Sequence, residues 1–287
     1  MNRAAYIKPL GRLLCGVAMG CLLTAGIASA APISFTWAPL AVGIGAPGDG
    51  LIGPANNFTV VDTATVNLTG SGFTEIGALR INDFLLGSTL APSAGLETHY
   101  SLLFGFTGTG NPIAIPAPGS SSTAAFTSLN YTLYGLTGVP PTITPTTDVS
   151  KIPNVVALAF GSLVSGTATL VNQSTPNSVD FSPKADLNLN MTVCTAAGQG
   201  NTGFGNSLCT GNESAFFASP LPANISLLIG DFSATTSVTT LSGSTLTING
   251  GGGNLTLEQS AVPEPGSVML LGFGLTALGF VKRRKKV

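Results

Sequence analysis

The chain has 287 residues, of which 8% are charged, and a formal net charge of −1. That is about a third of the charge density of an average soluble protein, so the exterior must be polar without being ionic. Between Ala31 and Val262 only three cations stand against eleven acids, which excludes nucleic acid as a partner, because phosphate binding needs clustered cations.

The first segment carries Arg3, Lys8 and Arg12, then an apolar run from Leu13 to Ile27, then Ala28-Ser29-Ala30. A basic head, a short apolar core and small residues at A-x-A spacing predict a secretory signal helix. Cleavage is expected after Ala30, leaving Ala31 as the new start, with the Sec machinery as the export partner.

The body, residues 31–261, reads as one β-rich domain. Ala185 to Val193 alternates apolar and polar residues strictly, the mark of a half-buried strand. Phe58 to Leu68, Phe73 to Leu86, Tyr100 to Phe106, Ala125 to Leu136, Val155 to Val171 and Ile225 to Phe232 share this character. Thr239 to Leu241 and Thr245 to Ile248 form a predicted hairpin around Gly243. Gly250 to Gly253 reads as the next turn and Leu255 to Leu257 as a closing strand. Asn111 to Gly119 and Val139 to Pro145 are Pro-rich and are expected to be exposed loops. Short strands with Gly, Pro and Ser punctuation predict an all-β, antiparallel sandwich or jelly roll.

Once the leader is removed, Cys194 and Cys209 are the remaining cysteines. In an oxidising compartment they are expected to form a disulfide closing the loop from Thr195 to Leu208. Two thiols without a nearby histidine make no metal site, and neither a metal nor another cofactor is expected.

Catalytic chemistry finds little support in the residues. A Ser-His-Asp triad would have to use His99, the one histidine, which has no nucleophile elbow near it. A glycosidase needs two facing carboxylates. Asp62, Glu75, Asp83, Glu97, Asp148, Asp180, Asp186, Glu213 and Asp231 are available, none in a telling context. They read as solvated strand and loop residues, and no catalytic residue is assigned. Trp37, Tyr131 and Tyr134 are conceivable platforms for a saccharide, with core packing the preferred reading for Trp37. Eight N-x-S/T sequons read as ordinary β-surface chemistry in a chain rich in Asn, Ser and Thr.

The last segment opens with Val262-Pro263-Glu264-Pro265-Gly266-Ser267, continues through the apolar Val268 to Val281, and ends in Lys282-Arg283-Arg284-Lys285-Lys286. As a transmembrane helix the apolar stretch would span about 21 Å, against a hydrocarbon core about 30 Å thick. It is a short anchor, and the five cations are a stop signal that stays cytoplasmic. The two prolines keep the preceding motif extended and outside the helix.

Together these three parts resemble the PEP-CTERM sorting signal of Gram-negative bacteria. The resemblance implies an exosortase as processing partner, cutting near Pro263-Glu264-Pro265. It also implies a transient membrane anchor before release to the cell surface or extracellular matrix. Within the body, FTEIGALRINDFLLG, HYSLLFGFTGTG, LNYTLYGL, FGSLVSGTATL and SAFFASPLPANISLLIGDFS resemble segments of flocculation-associated PEP-CTERM proteins. That likeness implies a non-enzymatic role in flocculation or biofilm formation, with exopolysaccharide as a partner. The alternatives are a discrete carbohydrate-binding module and an enzyme acting on polysaccharide.

Overall fold

Alternating residues fold into strands through the described part of the body. The computed structural model describes residues 31–175, 180–194, 209, 216–219, 227–234 and 239–259. The expected signal helix and the terminal helix with its basic tail lie outside the described residues.

The strands are β1 (Ala31–Pro32), β2 (Phe35–Trp37), β3 (Ile52–Ala55), β4 (Asn57–Thr69), β5 (Gly72–Leu86), β6 (Thr89–Leu90), β7 (Tyr100–Gly110) and β8 (Ser120–Thr137). They continue as β9 (Val156–Asn172), β10 (Phe181–Asn190), β11 (Thr192–Val193), β12 (Phe217–Ser219), β13 (Leu227–Ser233), β14 (Thr239–Ser242) and β15 (Thr245–Gln259). The main sheet runs β4-β5-β7-β8-β9-β10-β13-β15, each strand antiparallel to the next. β15 then pairs back to β4, from Thr245 opposite Asn67 to Thr256 opposite Asn57. Eight strands therefore close into an up-and-down barrel, which has no free edge to recruit another chain.

Closure corrects the sandwich or jelly-roll expectation. Alternation shows only that each strand has one buried face. Here those faces turn onto a single lumen rather than onto a second sheet. Phe58, Val60, Ala64, Val66 and Leu68 of β4 face inward, with Phe73, Leu79 and Ile81 of β5 and Phe104 and Phe106 of β7. Each large apolar side chain removed from water contributes about 1.5–3 kcal/mol, so this lining is the main source of stability.

A second correction concerns Gly250 to Gly253. These glycines do not turn the chain, and β15 runs through them from Thr245 to Gln259. The first half of β15 pairs with β14 and the second half with β13, and the changeover falls at the glycines. Gly250 takes φ +103°, and the register against β4 slips between Asn249 and Gly251. At Gly253 a Cβ would lie 2.5 Å from Phe232 Cδ1, so the ring and the strand pack only because that carbon is missing.

The two ends of the barrel are covered differently. A small sheet, β12-β2-β3, packs aromatic rings over one end. Trp37 stacks on Phe84 with centroids 3.9 Å apart, and Phe35 meets Phe58 at 5.2 Å. The buried indole Nε1–H donates to Tyr100 Oη at 2.8 Å. At the other end the loop 111–119 places buried Ile113 beside Phe73 and Phe126. Asn172 Nδ2 holds that loop by donating to the Pro116 carbonyl at 2.7 Å. The loop is thus a partial cover rather than a fully exposed excursion.

A second apolar cluster lies outside the barrel wall. Ala78, Leu103, Tyr134, Leu136 and Ala157 face outward there, covered by Val149, Ile143 and Ile152 of the strap between β8 and β9. Cys194 and Cys209 belong to the same cluster and form the expected disulfide, with Cα atoms 5.6 Å apart. Elsewhere the exterior carries hydroxyl and amide pairs. Thr123 meets Thr169 at 3.0 Å, Asn188 meets Ser165 at 3.0 Å, and Thr245 meets Asn67 at 3.0 Å.

Candidate functional site

β4 places its even-numbered residues in the lumen, and Asp62 occupies one of those positions. β5 places its odd-numbered residues there from Phe73 to Ile81, and Glu75 is among them. The register sets Asp62 opposite Leu79 and Glu75 opposite Val66, with Ala64 and Gly77 as the inward pair between. Neither small residue projects bulk between the two carboxyls. A Cβ at Gly77 would sit 2.7 Å from both Ala64 Cβ and Phe106 Cζ, so glycine is required for the Phe106 ring to pack there.

The two acids border two adjoining cavities of about 60 and 50 Å³. The first lies toward the loop 111–119 and is walled by Phe73, Ile113, Phe126 and Leu170. The second lies deeper, among Phe104, Phe106, Tyr131, Leu187 and Leu255. Asp62 is 8% exposed, and its Oδ1 has no hydrogen-bond partner. Burial pushes the Asp62 carboxyl up to about 7, although the Thr63 N–H offsets part of that rise. Burial, with the charge of Asp62 adding to it, pushes the Glu75 carboxyl up to about 8. Glu75 is the more open of the two side chains.

This pair corrects the expectation that the carboxylates are solvated. The signal was present in the sequence. Phe58-Val60-Asp62-Ala64-Val66-Leu68 and Phe73-Glu75-Gly77-Leu79-Ile81 each put one acid in phase with the apolar face. An acid in that phase is buried unless the strand slips register.

The other candidates are scattered. Asp83 accepts from Thr59 Oγ1 at 3.3 Å, Glu97 pairs with Arg80 Nε at 3.1 Å, and Asp148 accepts from Ser150 at the start of a short turn. Glu213 lies outside the described residues. His99 places Nδ1 3.0 Å from both Asp49 oxygens. The Ala46 N–H and His99 together hold the Asp49 carboxyl below its usual range. His99 thus meets a carboxylate in a loop contact far from the lumen acids.

Trp37 and Tyr134 are fully buried and Tyr131 is 2% exposed, so none offers a ring face to a saccharide. Tyr131 spends its hydroxyl on the Asn190 carbonyl at 2.8 Å, and burial raises its pKa. No group of three or more His, Cys, Asp or Glu side chains suited to a metal occurs among the described residues. Of the processing residues, Ala31 opens β1 and pairs with Gln259. Ala28, Ala30, Pro263, Glu264, Pro265 and the basic tail Lys282 to Lys286 lie outside the described residues.

Fold and lumen define a closed, up-and-down antiparallel barrel with an apolar interior and two acids lining it. The chain's end supplies a more specific assignment. Residues 261–285 match the PEP-CTERM protein-sorting motif. The motif marks an exported, exosortase-processed protein bound to the cell envelope. No curated protein and no solved structure matches the chain.

Proposed function

We propose that this is a non-enzymatic surface or matrix protein of a Gram-negative bacterium that promotes flocculation or biofilm formation together with exopolysaccharide. The observation that carries the reading is the sorting motif at residues 261–285. The exterior supports it. Rows of paired threonine, serine and asparagine side chains offer many weak hydrogen bonds to sugar hydroxyls, and these become strong through multivalency.

The lumen argues against a polysaccharide-acting enzyme. Its acids stand on neighbouring strands inside a barrel, not across an open groove. The lobe toward the loop 111–119 is walled by Phe73, Ile113, Phe126 and Leu170, a lining that leaves the sugar hydroxyls few partners. A discrete sugar-binding module loses its aromatic candidates to burial.

The test is deletion of residues 261–287 alongside deletion of the whole gene. The truncation is expected to leave the barrel unsorted, and the gene deletion to slow cell settling while polysaccharide synthesis continues. Normal surface delivery of the truncated chain would refute the sorting role. Unchanged settling in the gene deletion would refute the aggregation role.

A further inference from the structure

The lumen holds a feature that neither sorting nor aggregation uses. Asp62 sits over nine-tenths buried, its Oδ1 unpartnered, at the junction of two cavities, with Glu75 on the same junction. A buried carboxyl oxygen left without a partner is costly even where the Thr63 N–H serves the same carboxyl, and a barrel interior filled with Leu or Phe at that position would be more stable. One such acid, with the half-buried Glu75 carboxyl lining the same apolar chamber, describes a site suited to a positive charge.

The wall chemistry narrows the ligand. A divalent cation such as Ca²⁺ takes six or more oxygen ligands, and here two carboxyls stand among aliphatic and aromatic side chains. Lys184 is the other charged residue at the cavity wall, and its side chain is exposed rather than turned onto the acids. The Phe104, Phe106 and Phe126 rings suit a cation attached to hydrocarbon, through contact with both the carbon chain and the charge. Each lobe accommodates about four water-sized groups, the bulk of a short unbranched chain.

We propose that the barrel lumen is a binding site for a short aliphatic amine, with the ammonium held between Asp62 and Glu75 and the hydrocarbon lying in an adjoining apolar lobe. Entry is from the end covered by the loop 111–119. An eight-stranded barrel has the diameter to hold one small ligand in this way.

The experiment is a calorimetric and NMR titration of the purified exported protein with n-butylamine and with n-butanol. The two have the same chain and differ in charge. At pH 9 the acids are ionised and an alkylamine remains protonated, so n-butylamine is expected to bind about tenfold tighter than the alcohol or better. At pH 5, where the acids are neutral, that preference should vanish. Asp62→Asn should abolish the preference at pH 9. Should that variant fail to fold, the more exposed Glu75→Gln carries the same comparison. Equal affinity for amine and alcohol overturns the proposal. So does an amine preference that survives both substitutions, or the absence of amine binding at millimolar concentration.

Discussion

Raising the pH should loosen this barrel, because burial lifts both lumen carboxyls, Asp62 to about 7 and Glu75 to about 8. Burial lifts the Asp62 carboxyl to about 7 in the folded chain, against 3.8 for an ordinary aspartate. Because the folded value is the higher one, the native state holds the proton longer than the unfolded state does. The contribution of Asp62 is therefore full below about pH 4, falls as pH rises toward 7, and is lost above it. At about 1.4 kcal/mol per pH unit, the interval is worth about 4 kcal/mol. For a domain of this size that corresponds to a fall in Tm of about 8–16 °C. Thermal and urea unfolding at pH 4.5, 6 and 8, with the disulfide intact, measures it. Asp62→Asn keeps the shape and removes the Asp62 titration, so its stability should fall less steeply across the same range, with the Glu75 share remaining. The same substitution should lower the pKa of Glu75, whose elevation includes the charge of Asp62. The net negative body also repels itself more at high pH, but both proteins share that contribution. A wild-type Tm that does not fall with pH, or an Asn variant that falls just as steeply, refutes the reasoning.

Reduction of the Cys194–Cys209 bond, which closes a loop with a sequence separation of 15, should cost about 3 kcal/mol, read as a lower urea midpoint for the double Cys→Ser variant. Trp37→Phe leaves buried Tyr100 Oη without its indole donor and should cost about 1–3 kcal/mol by chemical denaturation. Gly77→Ala brings a methyl within 2.7 Å of Ala64 Cβ and the Phe106 ring and should cost about 1–3 kcal/mol in the same assay. Asn172→Ala removes the hydrogen bond that holds the loop 111–119 and should speed amide exchange in that loop, measured by mass spectrometry, while the strand amides of β4 and β15 stay protected.

Strand positions were legible because alternation survives in the residues themselves. Ala185 to Val193 predicts a half-buried strand, and β10 and β11 occupy it with Leu187, Leu189 and Val193 buried. Closure was not legible, because the same alternation serves a sandwich and a barrel. What decides between them is the pairing of β4 with β15, residues far apart in sequence that no local pattern joins. The glycines at 250–253 misled for a related reason. Glycine marks a turn when only neighbours in sequence are considered. In the folded barrel the same missing carbon admits the Phe232 ring, a contact made across strands.

The candidate site lies between those cases. Asp62 and Glu75 are in phase with their apolar neighbours, so the sequence places each on a buried face. That they share one chamber follows only from the β4–β5 register and from the small Ala64–Gly77 pair between them. A sandwich with the same strands would spread such acids through a flat interior, where each would need its own partner. A closed barrel gathers inward-facing residues around one axis, which turns two isolated anomalies into a charged centre with space on either side. The acid pair is thus a consequence of closure, and its chemistry depends on closure. If β15 separates from β4, water reaches both carboxyls and the elevation of their pKa values disappears. Hydrogen exchange along β15 and titration of Asp62 should therefore respond together to any substitution that weakens the β4–β15 seam, and independent responses would contradict this account of the lumen.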